Sequence, residues 1–139
     1  MGKKIYSFIG LNFDVDAAIT IAAQKEIQKS DPQAFFKFIP KPFTGEETGR
    51  INGMNSVDES YAANTENRDP IIFATGCYHN GETFNLLIDG AHRLFKSLYI
   101  DESRTVDYVI LSVEESLTIA SGPMVQFMES YVASKKLMS

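Results

Sequence analysis

One cysteine, two histidines and no tryptophan occur among the 139 residues. The lone Cys77 excludes an internal disulfide framework and any multi-cysteine zinc site, and two histidines are poor material for a transition-metal centre. Basic residues are outnumbered by acidic ones, 13 against 18, for a net charge of -5. That balance argues against a general electrostatic grip on nucleic acid, although it does not forbid a local basic patch. No stretch approaches the ~20 apolar residues of a membrane span. The start Met1-Gly2-Lys3-Lys4-Ile5 has too short an apolar run for a signal peptide. Lys3, Lys4 and a Ser7 set among apolar residues also fit a myristoylation start poorly. Repeats and low-complexity tracts are missing too. What is present, 44% hydrophobic and 22% charged residues, is ordinary for a globular chain. At this length a domain buries roughly two-thirds of its unfolded surface and needs no covalent staple. The expectation is one soluble, cytoplasmic domain over 1–139 with no membrane contact.

Along the chain, residues 5–13 are rich in β-branched and aromatic side chains and read as one strand. Asp14 or Asp16 then caps a helix running to about Lys29, with Val15, Ile19, Ala22, Ala23 and Ile27 on one face and Asp31-Pro32 as the stop. Residues 34–39 look like a second strand, broken by Pro40 and Pro42. Thr44–Asn55 is polar and carries Gly45, Gly49 and Gly53, the composition of a surface loop or lid. Ser56-Val57-Asp58-Glu59 has capping-box form and predicts a short helix to about Asn64 that buries Val57 and Tyr61. Pro70 opens a strand over Ile71–Tyr78, Asn80-Gly81 predicts a two-residue type I′ turn, and Thr83–Ile88 returns. Ala91–Tyr99 has helical spacing, with Ala91, Leu94, Phe95 and Leu98 on one face. A turn at Asp101–Arg104 leads to a strand over Val106–Leu111. The last helix starts near Gly122-Pro123 and buries a stripe of Met124, Phe127, Met128, Tyr131 and Val132. The class is mixed α+β, a small mixed sheet with flanking helices.

The run Ile88-Asp89-Gly90-Ala91-His92-Arg93-Leu94-Phe95-Lys96 stands out. An apolar strand enters a glycine turn that opens directly into an amphipathic helix. Free amides and the positive helix end would make an anion site there, and glycine permits close approach. Leu94 and Phe95 go to the core, which leaves His92, Arg93 and Lys96 toward the other side. A cation in the first turn opposes the helix dipole by several tenths of a kcal/mol. A phosphate between Arg93 and the amides would remove that conflict, and His92 can donate to the same anion. Asp89 has three open roles: holding Arg93, binding Mg²⁺, or acting as a general base. The plainer alternative is a turn glycine followed by a solvated helix face, and spacing alone leaves both readings standing.

Asp89-Gly90-Ala91-His92-Arg93, after Leu86-Leu87-Ile88 and before Leu94-Phe95-Lys96-Ser97-Leu98, resembles the Asp-Gly-x-His-Arg signature of the ParB/sulfiredoxin superfamily. The resemblance covers 56–113: a short helix, a proline-led strand, a hairpin, the glycine–arginine turn with its helix, and a further strand. It implies a ParB/sulfiredoxin-like fold with a pocket for ATP, ADP or CTP and Mg²⁺. Gly90, Ala91, His92, Arg93 and Lys96 would bind the nucleotide, and Asp89 would be the catalytic acid/base or metal partner; no metal ligand set is assigned. The implied activities are NTP hydrolysis or small-molecule phosphoryl transfer. Arg93→Ala should then abolish nucleotide binding while leaving the fold intact. Sulfiredoxins place their attacking cysteine where this chain has Ala91, so that repair chemistry is not expected, and Cys77 reads as a core thiol. Partition proteins add a helix-turn-helix domain, for which one helix before Ser139 leaves no room, so specific DNA binding is not expected without an added domain. The alternative is a non-catalytic plasmid- or phage-type interaction or inhibitor protein that keeps the fold and binds a protein partner.

Other features invite weaker readings. Glu46-Glu47 reads as a solvated loop, Glu114-Glu115 as the N-terminal cap of the next helix, and Glu129 lies beside the final stripe. Phe35-Phe36-Lys37-Phe38 with Lys41 mixes stacking and basic residues but reads better as a half-buried strand. Thr105, Ser112 and Ser116 have no histidine at a spacing that suggests a hydrolytic triad.

Overall fold

Alternating and continuous apolar runs place most strands where the residues demand them, and the chain folds as a mixed α+β protein. The computed structural model describes residues 5–8, 10–31, 63–64, 69–100 and 105–138. The strand expected at 34–39, the loop at Thr44–Asn55 and nearly all of the helix expected at Ser56–Asn64 lie outside the described residues. The elements are β1 (Ile5–Phe8), β2 (Leu11–Asp14), α1 (Val15–Ala22), β3 (Gln28–Ser30), β4 (Ile71–Cys77) and β5 (Thr83–Asp89). Then come α2 (Ala91–Phe95), which continues as a π-helical turn over Lys96–Ile100, β6 (Val106–Ile110), α3 (Val113–Thr118), β7 (Ala120–Ser121) and α4 (Val125–Met138).

Two sheets form. One has the order β1-β2-β7 and is antiparallel; the other has the order β3-β6-β4-β5, with β4 and β6 parallel and the other pairs antiparallel. Strands β4 and β5 are apolar on both sides because the second sheet is covered on both faces. On one face Ile72, Ala74, Leu86, Ile88 and Val109 join Leu11, Phe13, Ala18 and Met128. On the other, Ile71, Phe73 and Leu87 meet Leu94 and Phe95 of α2. Cys77 is buried, as expected of a core thiol, and burial pushes its pKa up.

Four sequence expectations change. The strand over 5–13 is a hairpin: a turn at Gly10, φ 78°, folds β1 back on β2 with Ile5 opposite Asp14. Helix α1 is capped by Asp14, whose carboxylate accepts from the Ala17 amide at 3.0 Å, but it ends at Ala22. Gln28–Ser30 leave the helical pattern to pair with β6, and tertiary pairing overrides local periodicity. The buried face is therefore Val15, Ala18 and Ala22, while Ile19 and Ile27 stay 44% exposed. In the third case the β4–β5 turn has three residues, His79 to Gly81. The Gly81 amide donates to the Tyr78 carbonyl at 3.0 Å, so Gly81 keeps the positive φ expected of it, 86°, but stands last of three loop residues and not second of two. Finally, α4 begins at Val125, after a turn at Gly122–Met124, although its stripe packs as expected, with Met128 fully buried. Glu115 does cap a helix: Ser112 and Glu115 close a reciprocal capping box on α3.

Strand β4 pairs with β6 through Phe73 and Ile110, and the Leu111 amide still reaches the Phe73 carbonyl at 2.8 Å. Beyond that point the chain turns into α3, and side chains continue the ladder. The Thr75 amide donates to Ser116 Oγ at 2.9 Å, Thr75 Oγ1 donates to the Leu111 carbonyl at 2.7 Å, and Asn85 Nδ2 donates to Thr75 Oγ1 at 3.0 Å. All three side chains are buried. Ser116→Ala leaves a buried amide unpaired, so it should cost about 1–3 kcal/mol of unfolding free energy in urea titrations. A loss below about 0.5 kcal/mol, the range of surface changes, would show that Thr75 finds another acceptor.

Candidate functional site

The site sits where β5 ends. The β4–β5 pairing shifts register between Ile72 and Phe73: Phe73 faces Leu87, whereas Ile72 faces Asp89, so Ile88 is the extra residue of a bulge. Asp89 therefore lies beside the start of β4. Gly90 follows with φ 97° and ψ 22°, a left-handed conformation that favours glycine. A Cβ there would stand 2.5 Å from Ile71 Cγ2 and 3.0 Å from Arg93 Nη2, so the glycine is required by the protein's own packing. Helix α2 is α-helical for five residues only, and side-chain charges dominate over so short a dipole.

Arg93 is held internally. Its Nη2 donates to Asp89 Oδ2 and to the Pro70 carbonyl, each at 3.2 Å, and the two side chains are only 15% and 12% exposed. Asp89 thus fills the first of its three proposed roles. The dipole conflict that suggested a phosphate beside Arg93 is resolved by a carboxylate four residues earlier and a backbone carbonyl. Arg93 Nε is buried without a hydrogen-bond partner among the described residues.

A cleft of about 520 Å³ opens at this ion pair. Asp69, Asp89, Arg93 and Lys25 supply its polar groups, and Ile19, Ala22, Ala23, Ile27, Pro70 and Ile72 supply its apolar wall. That size and mixture fit a small-molecule site. The structure brings Asp89 and Arg93 to the cleft. Gly90 forms the turn behind them, and Ala91 packs against the Leu94 and Phe95 cluster. His92 and Lys96 are half-buried on the same helical run and do not line the cleft.

Lys25, Asp69 and the Pro70 carbonyl went unnoticed in the sequence. The hairpin held the signal for two of them, since pairing β4 with β5 must set Asp69-Pro70 near Asp89. Lys25 gave no signal, because its position depends on α1 ending early. It donates from Nζ to Glu115 Oε1, tying the end of α1 to α3. Burial alone would raise the Glu115 pKa, but the Lys25 ammonium and the Ser112 amide together hold it below the usual carboxylate range.

The remaining sequence candidates fall elsewhere. Glu129 is exposed on α4, Ser112 caps α3, Ser116 bonds β4, and Thr105 is exposed beside Asp107. Glu46-Glu47 and Phe35–Lys41 lie outside the described residues. Among the described residues no three His, Cys, Asp or Glu side chains gather as a ready-made metal cage. No helix of the described residues is long and apolar enough to cross a membrane. No family model, curated protein or solved structure matches the chain.

Proposed function

We propose that this chain is a nucleotide-binding protein of ParB/sulfiredoxin-like fold, and that the cleft at Asp89 and Arg93 takes a nucleoside di- or triphosphate with Mg²⁺. The cleft carries the reading: one depression joins an apolar wall, suited to a base and sugar, to two cations and two carboxylates. The donor set suits Mg²⁺, which is usually held through one or two carboxylates plus substrate phosphates. Asp69 and Asp89 would hold it, and the ion would supply charge neutralisation on the phosphates. Arg93, fixed by Asp89 and Pro70, offers a preorganised positive field that need not rearrange when charge develops nearby. The chemistry such a site supports is NTP hydrolysis or phosphoryl transfer by positioning and charge stabilisation, with no covalent nucleophile.

One observation favours a non-catalytic form of this reading, in which the nucleotide is bound without turnover. Asp89 already accepts from Arg93, which lowers its value as a base. Phosphate release from the bound nucleotide separates the two.

Calorimetric titration with ATP, ADP, CTP and GTP, each with Mg²⁺, tests the cleft. One of the four should bind at micromolar concentration. Ile27→Asp puts a carboxylate on the exposed wall without burying it, and should weaken that binding about tenfold, equivalent to 1.4 kcal/mol, with the melting temperature unchanged. Absence of heat with all four nucleotides would sink the proposal.

A further inference from the structure

Two cations line the cleft, and their surroundings differ in a way that assigns them different work. Arg93 is committed: a single Nη2 serves both Asp89 and the Pro70 carbonyl, and its side chain is 15% exposed. Drawing it toward a ligand would break its ion pair with the nearly buried Asp89 and take a donor from the Pro70 carbonyl. Lys25 is twice as exposed, at 30%, on the turn that follows α1. Its ammonium carries three donors on a flexible four-carbon stem, and among the described residues Glu115 is its partner.

Glu115 can release it. The same carboxylate accepts from the Ser112 amide at 2.9 Å, so it keeps a hydrogen bond when Lys25 leaves, and at 32% exposure it is open to water. The capping box holds α3 together with or without the lysine.

We infer that Lys25 is the mobile anion-binding residue of the cleft, and that Glu115 and the ligand's phosphates compete for its ammonium. The inference rests on the nucleotide reading of the cleft and narrows its ligand class. Exchanging one carboxylate for a singly charged anion leaves Lys25 no better placed. A phosphomonoester carries a charge of about −1.5 to −2, and a di- or triphosphate presents more charge still, so polyphosphates draw the exchange furthest and the site prefers them over monophosphates. Binding also unties the end of α1 from α3.

The test exploits the fact that two substitutions break the same bond from opposite ends. Lys25→Met keeps the apolar stem and removes the charge. Glu115→Gln keeps a side chain able to cap α3 and removes the competitor. Both full-length variants are titrated calorimetrically with ATP plus Mg²⁺ and with inorganic pyrophosphate, and circular dichroism melts report their folding. Lys25→Met should weaken both probes about tenfold, while Glu115→Gln should tighten both severalfold. If Lys25 and Glu115 only brace α1 against α3, the two variants will change affinity in the same direction or leave it unchanged, and the inference is overturned while the nucleotide reading stands. If the unmodified protein binds neither probe, the inference falls, and the nucleotide reading falls with it only when ADP, CTP and GTP give no heat either.

Discussion

Arg93→Ala should destabilise the protein by about 3 kcal/mol, the low end for breaking a buried ion pair from one side. The low end applies because the partners keep 15% and 12% exposure. Removing the guanidinium breaks the ion pair with the nearly buried Asp89 and takes a donor from the Pro70 carbonyl. For a chain of this size the melting temperature should fall by roughly 10 °C. Adding Asp89→Asn to Arg93→Ala should recover part of the loss, because the charge that Arg93 offset is gone. A single-variant loss below about 1 kcal/mol, typical of exposed pairs, would refute this account. The result bears on function too. The sequence suggests that Arg93→Ala would remove nucleotide binding from an intact fold, whereas the structure makes the residue part of the fold, so a peripheral wall residue is the cleaner probe of the cleft.

Gly122→Ala should cost a similar amount, about 3 kcal/mol, from two sources of about 1–2 kcal/mol each. Gly122 has φ 107°, and an added Cβ would stand 2.5 Å from the Gly10 carbonyl oxygen. That obstacle is backbone and has no rotamer to move into. The same carbonyl accepts from the Met124 amide at 3.1 Å, so relieving the clash means separating the β1–β2 turn from the entry to α4. Gly81→Ala is the control. Its φ is 86°, yet nothing lies within 4 Å of the new methyl, so only the backbone strain of about 1–2 kcal/mol should appear in the same denaturant titration. Equal losses at the two positions would show that the contact with Gly10 contributes nothing.

The second half of the chain was legible because its strands are punctuated by residues with strong local preferences. Pro70, Gly81 and Gly90 bound β4, β5 and α2 close to where the structure places them. The Asp89–Arg93 pairing was legible as an i, i+4 contact, and it exists. The first third was harder because its turns are set by distant partners. Nothing local in Ile5–Phe13 shows that Gly10 reverses the chain, and Ala23–Ile27 continue a helical pattern that pairing of Gln28–Ser30 with β6 cuts short. That early stop also creates the cleft wall, leaving Ile19 and Ile27 open and placing Lys25 on the same cleft as Asp69 and Asp89. The motif marked one side of the cleft, and only tertiary structure supplied the other.

The strand order has a consequence for synthesis. The β4–β5 hairpin closes through a three-residue loop and can form within microseconds. The first sheet cannot: β2 takes β7 as its second neighbour, pairing Asn12 with Ser121 and Phe13 with Ala120. At roughly ten residues per second, a ribosome needs roughly ten seconds after making β2 before β7 exists. Through that interval Leu11 and Phe13, fully buried in the finished protein, lack most of the core that covers them. Until then the nascent β1–β2 hairpin is open to pairing with the wrong chain.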